Sequence, residues 1–171
     1  MRSPSIALAI LMSFSTAHAD EKAESSEAAK HAPALAAALN EAVVTLAAAL
    51  TASESRGTPI SAKFELEDGV LQLSVYTMKG AKFFELVVDH KTGKVTKTKP
   101  ITGGDDLAAA NKQSQAMAKT KRSLRDVVTK VEQANAGYQA VSVTAEIEGN
   151  AARADVGLLK GSDWKQVEDK L

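Results

Sequence analysis

Residues 60–77 read ISAKFELEDGVLQLSVYT, and this stretch decides the fold. Ile60, Ala62, Phe64 and Leu66 alternate with Ser61, Lys63, Glu65 and Glu67. Period-two alternation marks a strand with one buried face. Asp68-Gly69 follows, a dipeptide suited to a two-residue hairpin turn in which both positions take φ > 0. That turn pairs Leu66 with Leu71, Phe64 with Leu73, and Ala62 with Val75. Reading Lys79-Gly80 as the next turn pairs Val75 with Phe84, Leu73 with Leu86, and Leu71 with Val88. It also sets Tyr76 opposite Phe83, with Val87 diagonal, on the other face beside Lys63, Glu65, Gln72, Ser74 and Glu85. Thr92-Gly93 predicts a further turn, and residues 94–98 leave room for a short fourth strand. A sheet apolar on one side needs a cover.

The cover is predicted upstream. Leu35, Leu39, Val43, Leu46 and Leu50 recur at three- and four-residue steps, one stripe on a helix. Pro33 suits the first turn of that helix, and Pro59 bars its continuation. Residues 20–32 are polar, rich in Ala, Ser and Glu, and aperiodic, which reads as a flexible tail.

The pattern recurs at a constant spacing of 81. Val43, Leu46, Ala47 and Leu50 fall on Leu124, Val127, Val128 and Val131, and Ile60, Ala62, Phe64 and Leu66 fall on Val141, Val143, Ala145 and Ile147. Leu71, Leu73, Val75 and Thr77 fall on Ala152, Ala154, Val156 and Leu158, and Phe83 falls on Trp164. An internal repeat implies one supersecondary unit used twice. The expected fold class is α+β: two similar units, each a helix packed on a three- or four-stranded antiparallel sheet. Residues 33–99 form the first unit, 100–106 a linker in which Asp105 or Asp106 caps a helix, and 107–171 the second. Residues 107–136 fit one long helix or two. The last strand departs from the first unit, with Lys165, Val167 and Asp169 where Phe84, Leu86 and Val88 stand. Trp164 then lies opposite Gly157 on the outer face, unless a bulge turns it inward.

Residues 1–19 read as a signal peptide: Arg2, an apolar run from Ile6 to Phe14, and Ala17-His18-Ala19 before a cleavage site. The run is shorter than the roughly 20 residues of a membrane-spanning helix, so no span is expected after cleavage, and the expected compartment is periplasmic or extracellular. The chain has no cysteine, which excludes disulfides and thiolate chemistry. Its 21 basic and 21 acidic residues balance, so no global field steers it to nucleic acid.

Residues 57–95 resemble a PepSY repeat. The helix, ISAKFELEDGVLQLSVYT, and then FFELVVDHKTGKV with its Asp and Thr-Gly-Lys turn carry the resemblance. The second unit is similar to a degenerate copy, through VSVTAEIEGN and LLKGSDW, and lacks the Asp-turn ending. The tandem arrangement also resembles, in architecture, the periplasmic inhibitor of β-lactamases. The PepSY resemblance implies a non-catalytic regulatory or inhibitory module that binds an exported protein or peptide, such as a protease. The alternative is a structural or stress-related envelope protein without a specific protease target.

No residue set calls for catalysis, a cofactor or a metal. His18 leaves with the leader, His31 lies in the tail, and His90 stands alone beside Asp89, whereas zinc needs several converging ligands. Gly103-Gly104-Asp105-Asp106 lacks the spacing and lysine of a phosphate loop. Glu65 and Glu67 occupy expected exposed positions, with nothing to tune them for acid–base work. Two basic clusters stand out: Lys91, Lys94, Lys97 and Lys99, and Lys119, Lys121, Arg122 and Arg125. Most such clusters are solvated faces. The candidate partner site is Tyr76, Phe83 and Val87 as an apolar centre, rimmed by Lys94 and Lys97; the alternative for the trio is contact with the second unit or a pair that stabilises the sheet.

Overall fold

The computed structural model describes residues 19–171, with side chains from residue 28 onward. The expected signal peptide therefore lies outside the described residues, apart from Ala19. The chain forms α1 (Ala19–Leu39), α2 (Leu46–Ser53), β1 (Thr58–Glu67), β2 (Val70–Lys79), β3 (Lys82–Val88), β4 (Val95–Ile101), α3 (Gly104–Met117), α4 (Leu124–Ala134), β5 (Gln139–Glu148), β6 (Ala151–Lys160) and β7 (Asp163–Lys170). The class is α+β. The strands do not make two separate sheets. They form one antiparallel sheet in the order β4-β3-β2-β1-β5-β6-β7.

The first hairpin has the expected register, with Leu66 opposite Leu71, Phe64 opposite Leu73, and Ala62 opposite Val75. Its turn has Asp68 at φ 51° and Gly69 at φ 79°, as a type I′ turn requires. The second hairpin differs. Lys79 pairs with Lys82, so the turn is Gly80-Ala81, with Gly80 at φ 61°. A type II′ turn places glycine first, whereas a turn at Lys79-Gly80 would force lysine to positive φ. Moving the turn by one residue moves every pair by two. Val75 therefore faces Leu86 and Leu73 faces Val88; Tyr76 faces Glu85, while Phe83 faces Met78. A shift of two leaves each side chain on its expected face.

The registers of β1–β2 and β5–β6 agree pair for pair at the spacing of 81: Ala62–Val75 matches Val143–Val156, and Phe64–Leu73 matches Ala145–Ala154. The irregularity between Pro59 and Ser61 recurs between Ala140 and Ser142, with the fully buried Ile60 and Val141 beside it. The two sets of strands join through β1 and β5, where Ser61 faces Thr144, Ala62 faces Val143, and Lys63 faces Ser142. This pairing removes two open edges at once.

The helices correct the sequence reading. Residues 20–32 lie within α1 instead of forming a tail, and Pro33 sits inside that helix instead of in its first turn. Ala-, Glu- and Lys-rich sequence favours helix even without a stripe, and the buried Ala32 and Leu39 anchor it. The stripe from Leu35 to Leu50 belongs to two helices. Between them the Val43 and Val44 N–H groups donate to the His90 carbonyl, and Thr45 caps α2 by accepting from the Ala48 N–H. β-Branched residues at 43–45 favour that break. Val43 is 77% exposed, so it is no core residue. Leu46, Ala49, Leu50 and Ser53 of α2 are buried, as are Leu124, Val127, Val128 and Val131 of α4. The helices thus match at a spacing of 78, and the three extra residues lengthen α4, since four residues separate helix and strand in both places. Residues 107–136 hold two helices, with Ser123 capping the second. The expected linker is shortened from both sides: β4 runs to Ile101, and α3 starts at Gly104 after Gly103 as its cap. Asp105 and Asp106 stand in the first turn, where they complement the helix dipole.

α2 and α4 pack on each other and over β1, β2, β5 and β6. Beneath them lie Phe64, Leu73, Val75, Leu86, Val143, Val156 and Leu158, all buried. α3 crosses the opposite face, where its buried Gln113 accepts a hydrogen bond from the Ser61 hydroxyl at 3.1 Å. Trp164 is also on that face. Its cross-strand partner is Leu159, and its ring lies over Gly157.

Candidate functional site

β2 and its neighbours place Tyr76, Ser74, Glu65, Glu85, Val87 and Lys97 on the face that α3 partly covers. Ser74 is completely buried at the centre. Its hydroxyl accepts from Gln72 Nε2 at 3.0 Å and lies 3.2 Å from Glu65 Oε1 and 3.5 Å from Glu85 Oε1. Lys63 pairs with Glu65 at 2.6 Å and Lys99 with Glu85 at 3.7 Å. Glu65 is therefore half-buried and engaged, not an exposed strand residue.

Tyr76 stands between Ser61 and Glu85. The Lys63 ammonium lies 5.9 Å from its ring centroid, a cation–π geometry. Burial first, and then the carboxylates of Glu85, Glu65 and Asp106, push its phenol far above the ordinary range. Tyr76 is half-buried, while Phe83 is only 7% exposed, flanked by Met78 and Ile101. The expected open Tyr76–Phe83 pair is thus absent: Phe83 belongs to the core, and Tyr76 belongs to a polar network. Val87 is half-buried between Ser74 and Lys97. Lys97 and Lys94 are exposed, the first on β4 and the second in the turn before it. The structure therefore brings Tyr76, Phe83, Val87 and Lys97 to one face, with Phe83 buried on it, and leaves Lys94 at its corner.

The sequence reading missed Ser74 as a hub and missed α3 as a cover. The available signal was Gln113, a polar residue within the stripe of Ala110, Ala116 and Met117. A buried amide needs a partner, and Ser61 supplies it.

The remaining sequence candidates have structural surroundings. Asp89 Oδ1 accepts the Thr92 and Lys91 N–H groups at 2.8 and 2.9 Å, and these bonds hold its carboxyl below the ordinary range. His90 fixes the α1–α2 connection through its carbonyl. Among the described residues no group of three or more His, Cys, Asp or Glu is placed to hold a metal. Of the second basic cluster, Arg122 pairs with Asp169 at 3.4 Å, Arg125 with Glu54 at 3.7 Å, and Lys119 reaches the Asn150 carbonyl at 3.4 Å. Lys121, Arg122 and Arg125 line a groove of about 310 Å³ with Leu50, Pro59 and Met117.

No helix among the described residues is long and apolar enough to cross a membrane. No family model matches the sequence, and no curated protein and no solved structure matches it.

Proposed function

We propose that the chain is a non-catalytic exported protein of PepSY type, built from two copies of one helix-and-sheet unit, that binds and regulates another exported protein or peptide. The observation that carries this reading is β4. It is the outermost strand of the sheet, and residues 96–100 are all exposed along it. Such a row of backbone donors and acceptors is a ready template for a partner chain. Val87, Tyr76 and Lys97 lie beside it on one face. Matching registers at a spacing of 81 support the two-copy origin. The leader-like residues 1–19 support export to the periplasm or beyond.

The test is capture. The immobilised chain lacking residues 1–19 should retain a discrete protein from a periplasmic extract, saturably and in fixed ratio. If that protein is a protease, its turnover should fall as the chain is added. Turnover by the chain itself over a panel of hydrolase and oxidoreductase substrates would sink the reading. So would uniform association with envelope fractions and no discrete protein retained, which is the behaviour of a structural envelope component.

A further inference from the structure

We infer that the free edge of β4 takes an acidic, extended peptide segment as an eighth strand of the sheet. This rests on the binding reading above and names the chemistry of the partner. Among the described residues β4 pairs with β3 alone, so one row of its N–H and C=O groups faces no strand there. The charge around that row is local and one-sided. Residues 79–101 carry six lysines against Glu85 and Asp89, a surplus of four positive charges in a chain whose net charge is zero. Both carboxylates are occupied, Glu85 by Lys99 and Ser74, and Asp89 by the backbone of its own turn. The Lys94 and Lys97 ammonium groups have no ion pair among the described residues.

The register says what the added strand should look like. Lys97 and Lys99 share a face with Val87 and Glu85, and Thr98 beside Leu86 lies on the opposite face, while Thr96 sits at a register shift with its hydroxyl donating to the Val87 carbonyl at 3.2 Å. Cross-strand neighbours prefer opposite charges on one face and β-branched or aromatic partners on the other. The fitting segment therefore alternates acidic with β-branched residues. Pro100 has no N–H to offer and β4 bulges at Thr96, so the regular part of the ladder covers roughly the three residues 97–99, with Val95 beyond the bulge. The same lysines set against those of a second copy repel, which disfavours β4–β4 self-pairing. The other edge lacks this character: on β7, Glu168 pairs with Arg153 at 2.8 Å and Asp169 with Lys130 at 2.8 Å, and Asp163 accepts from the Tyr138 hydroxyl, so its charges are mostly engaged within the fold.

The experiment uses a hexapeptide of alternating Glu and Val, capped at both ends, titrated into the isotopically labelled chain lacking residues 1–19. Backbone amide resonances of residues 95–99 should shift, and affinity should fall with added salt. Lys94→Glu with Lys97→Glu should weaken binding about tenfold or more and leave the unfolding midpoint unchanged, since both side chains are exposed. The same variant should gain affinity for the Lys-Val counterpart of the peptide. A Glu-Val peptide N-methylated at alternate residues should not bind, because it keeps the charge and loses the ladder. Equal binding of the N-methylated peptide overturns the proposal, since charge alone would then suffice. Resonance shifts confined to α4 and its arginines also overturn it, as does a β4-mediated dimer that the peptide merely dissociates. Capture of an exported protein that ignores both the lysine reversal and the peptide sinks this inference and leaves the broader reading standing. Peptide binding at β4 with no exported protein captured does the reverse.

Discussion

Thr77 shows what a single residue decides. It is fully buried opposite Phe84, its hydroxyl has no hydrogen-bond partner among the described residues, and Leu158 takes the matching place 81 residues on. An unsatisfied buried hydroxyl costs about 1–3 kcal/mol. Thr77→Val should therefore raise stability by about 1 kcal/mol in denaturant unfolding; a loss would mean the hydroxyl has an acceptor. Gly157 tests the opposite case. A Cβ there would fall on the Ser142 hydroxyl and 2.5 Å from the Trp164 ring. Gly157→Ala should cost about 1–3 kcal/mol through overpacking and quench or shift the single tryptophan's emission. Tyr76 makes a prediction about alkali. Its phenol, raised by burial and the nearby carboxylates, stabilises the fold fully below pH 10 and ceases to do so as pH rises beyond that toward its folded value. Tyr76→Phe should flatten the alkaline fall in stability, and an unchanged slope would assign that fall elsewhere. These three sites were unequally legible. Trp164 over Gly157 on the outer face followed from the repeat, whereas neither Thr77's missing partner nor the acids around Tyr76 could be read without the neighbouring strands.

At the scale of elements, β7 is held by charge where β3 is held by apolar contact. Asp169 stands on β7 where Val88 stands on β3, and Lys130 and Arg122 clamp it from α4 and the loop before it. Burial pushes the Asp169 carboxyl upward, but the Lys130 and Arg122 charges outweigh this and hold it below the ordinary 3.8. A lowered pKa means stability that is present in full above pH 3.8 and lost as pH falls from there through the folded-state value. Asp169→Asn should cost about 1–2 kcal/mol at neutral pH, and the gap from the parent should close below that range. A gap that persists in acid would make the effect one of packing. The helices themselves were only half legible. Apolar spacing located the stripe from Leu35 to Leu50, but the break within it depends on the His90 carbonyl, which comes from a turn more than 40 residues away. Likewise the glycine of the second hairpin was visible, yet its place in the turn is set by the sign of φ that each turn position demands.

For the whole molecule the decisive contact is short. β1 and β5 meet over three facing pairs centred on Ala62 and Val143, reinforced by α2 against α4 and by α3 across β1 and β5. Because helices from each half bridge the joint, unfolding should be a single cooperative transition, with calorimetric and van't Hoff enthalpies equal. Ala62→Asp buries a charge at that centre and should lower the midpoint for both halves together, by about 3 kcal/mol or more in stability. Two separated transitions in calorimetry would show instead that each half stands alone.

By itself the sequence determined what is local and periodic: the faces of β1, β2, β5 and β6, the first hairpin's register, the 81-residue correspondence, and most of the apolar residues of the core. Those follow because side chains alternate along a strand and because a turn constrains only its own few dihedrals. Only the tertiary structure decided that two sets of strands become one sheet, that α3 covers the second face, and that Phe83 is core while β4 is the open edge. Which edge pairs with which depends on contacts between residues far apart in the chain, and no local pattern encodes a partner that folding alone brings near.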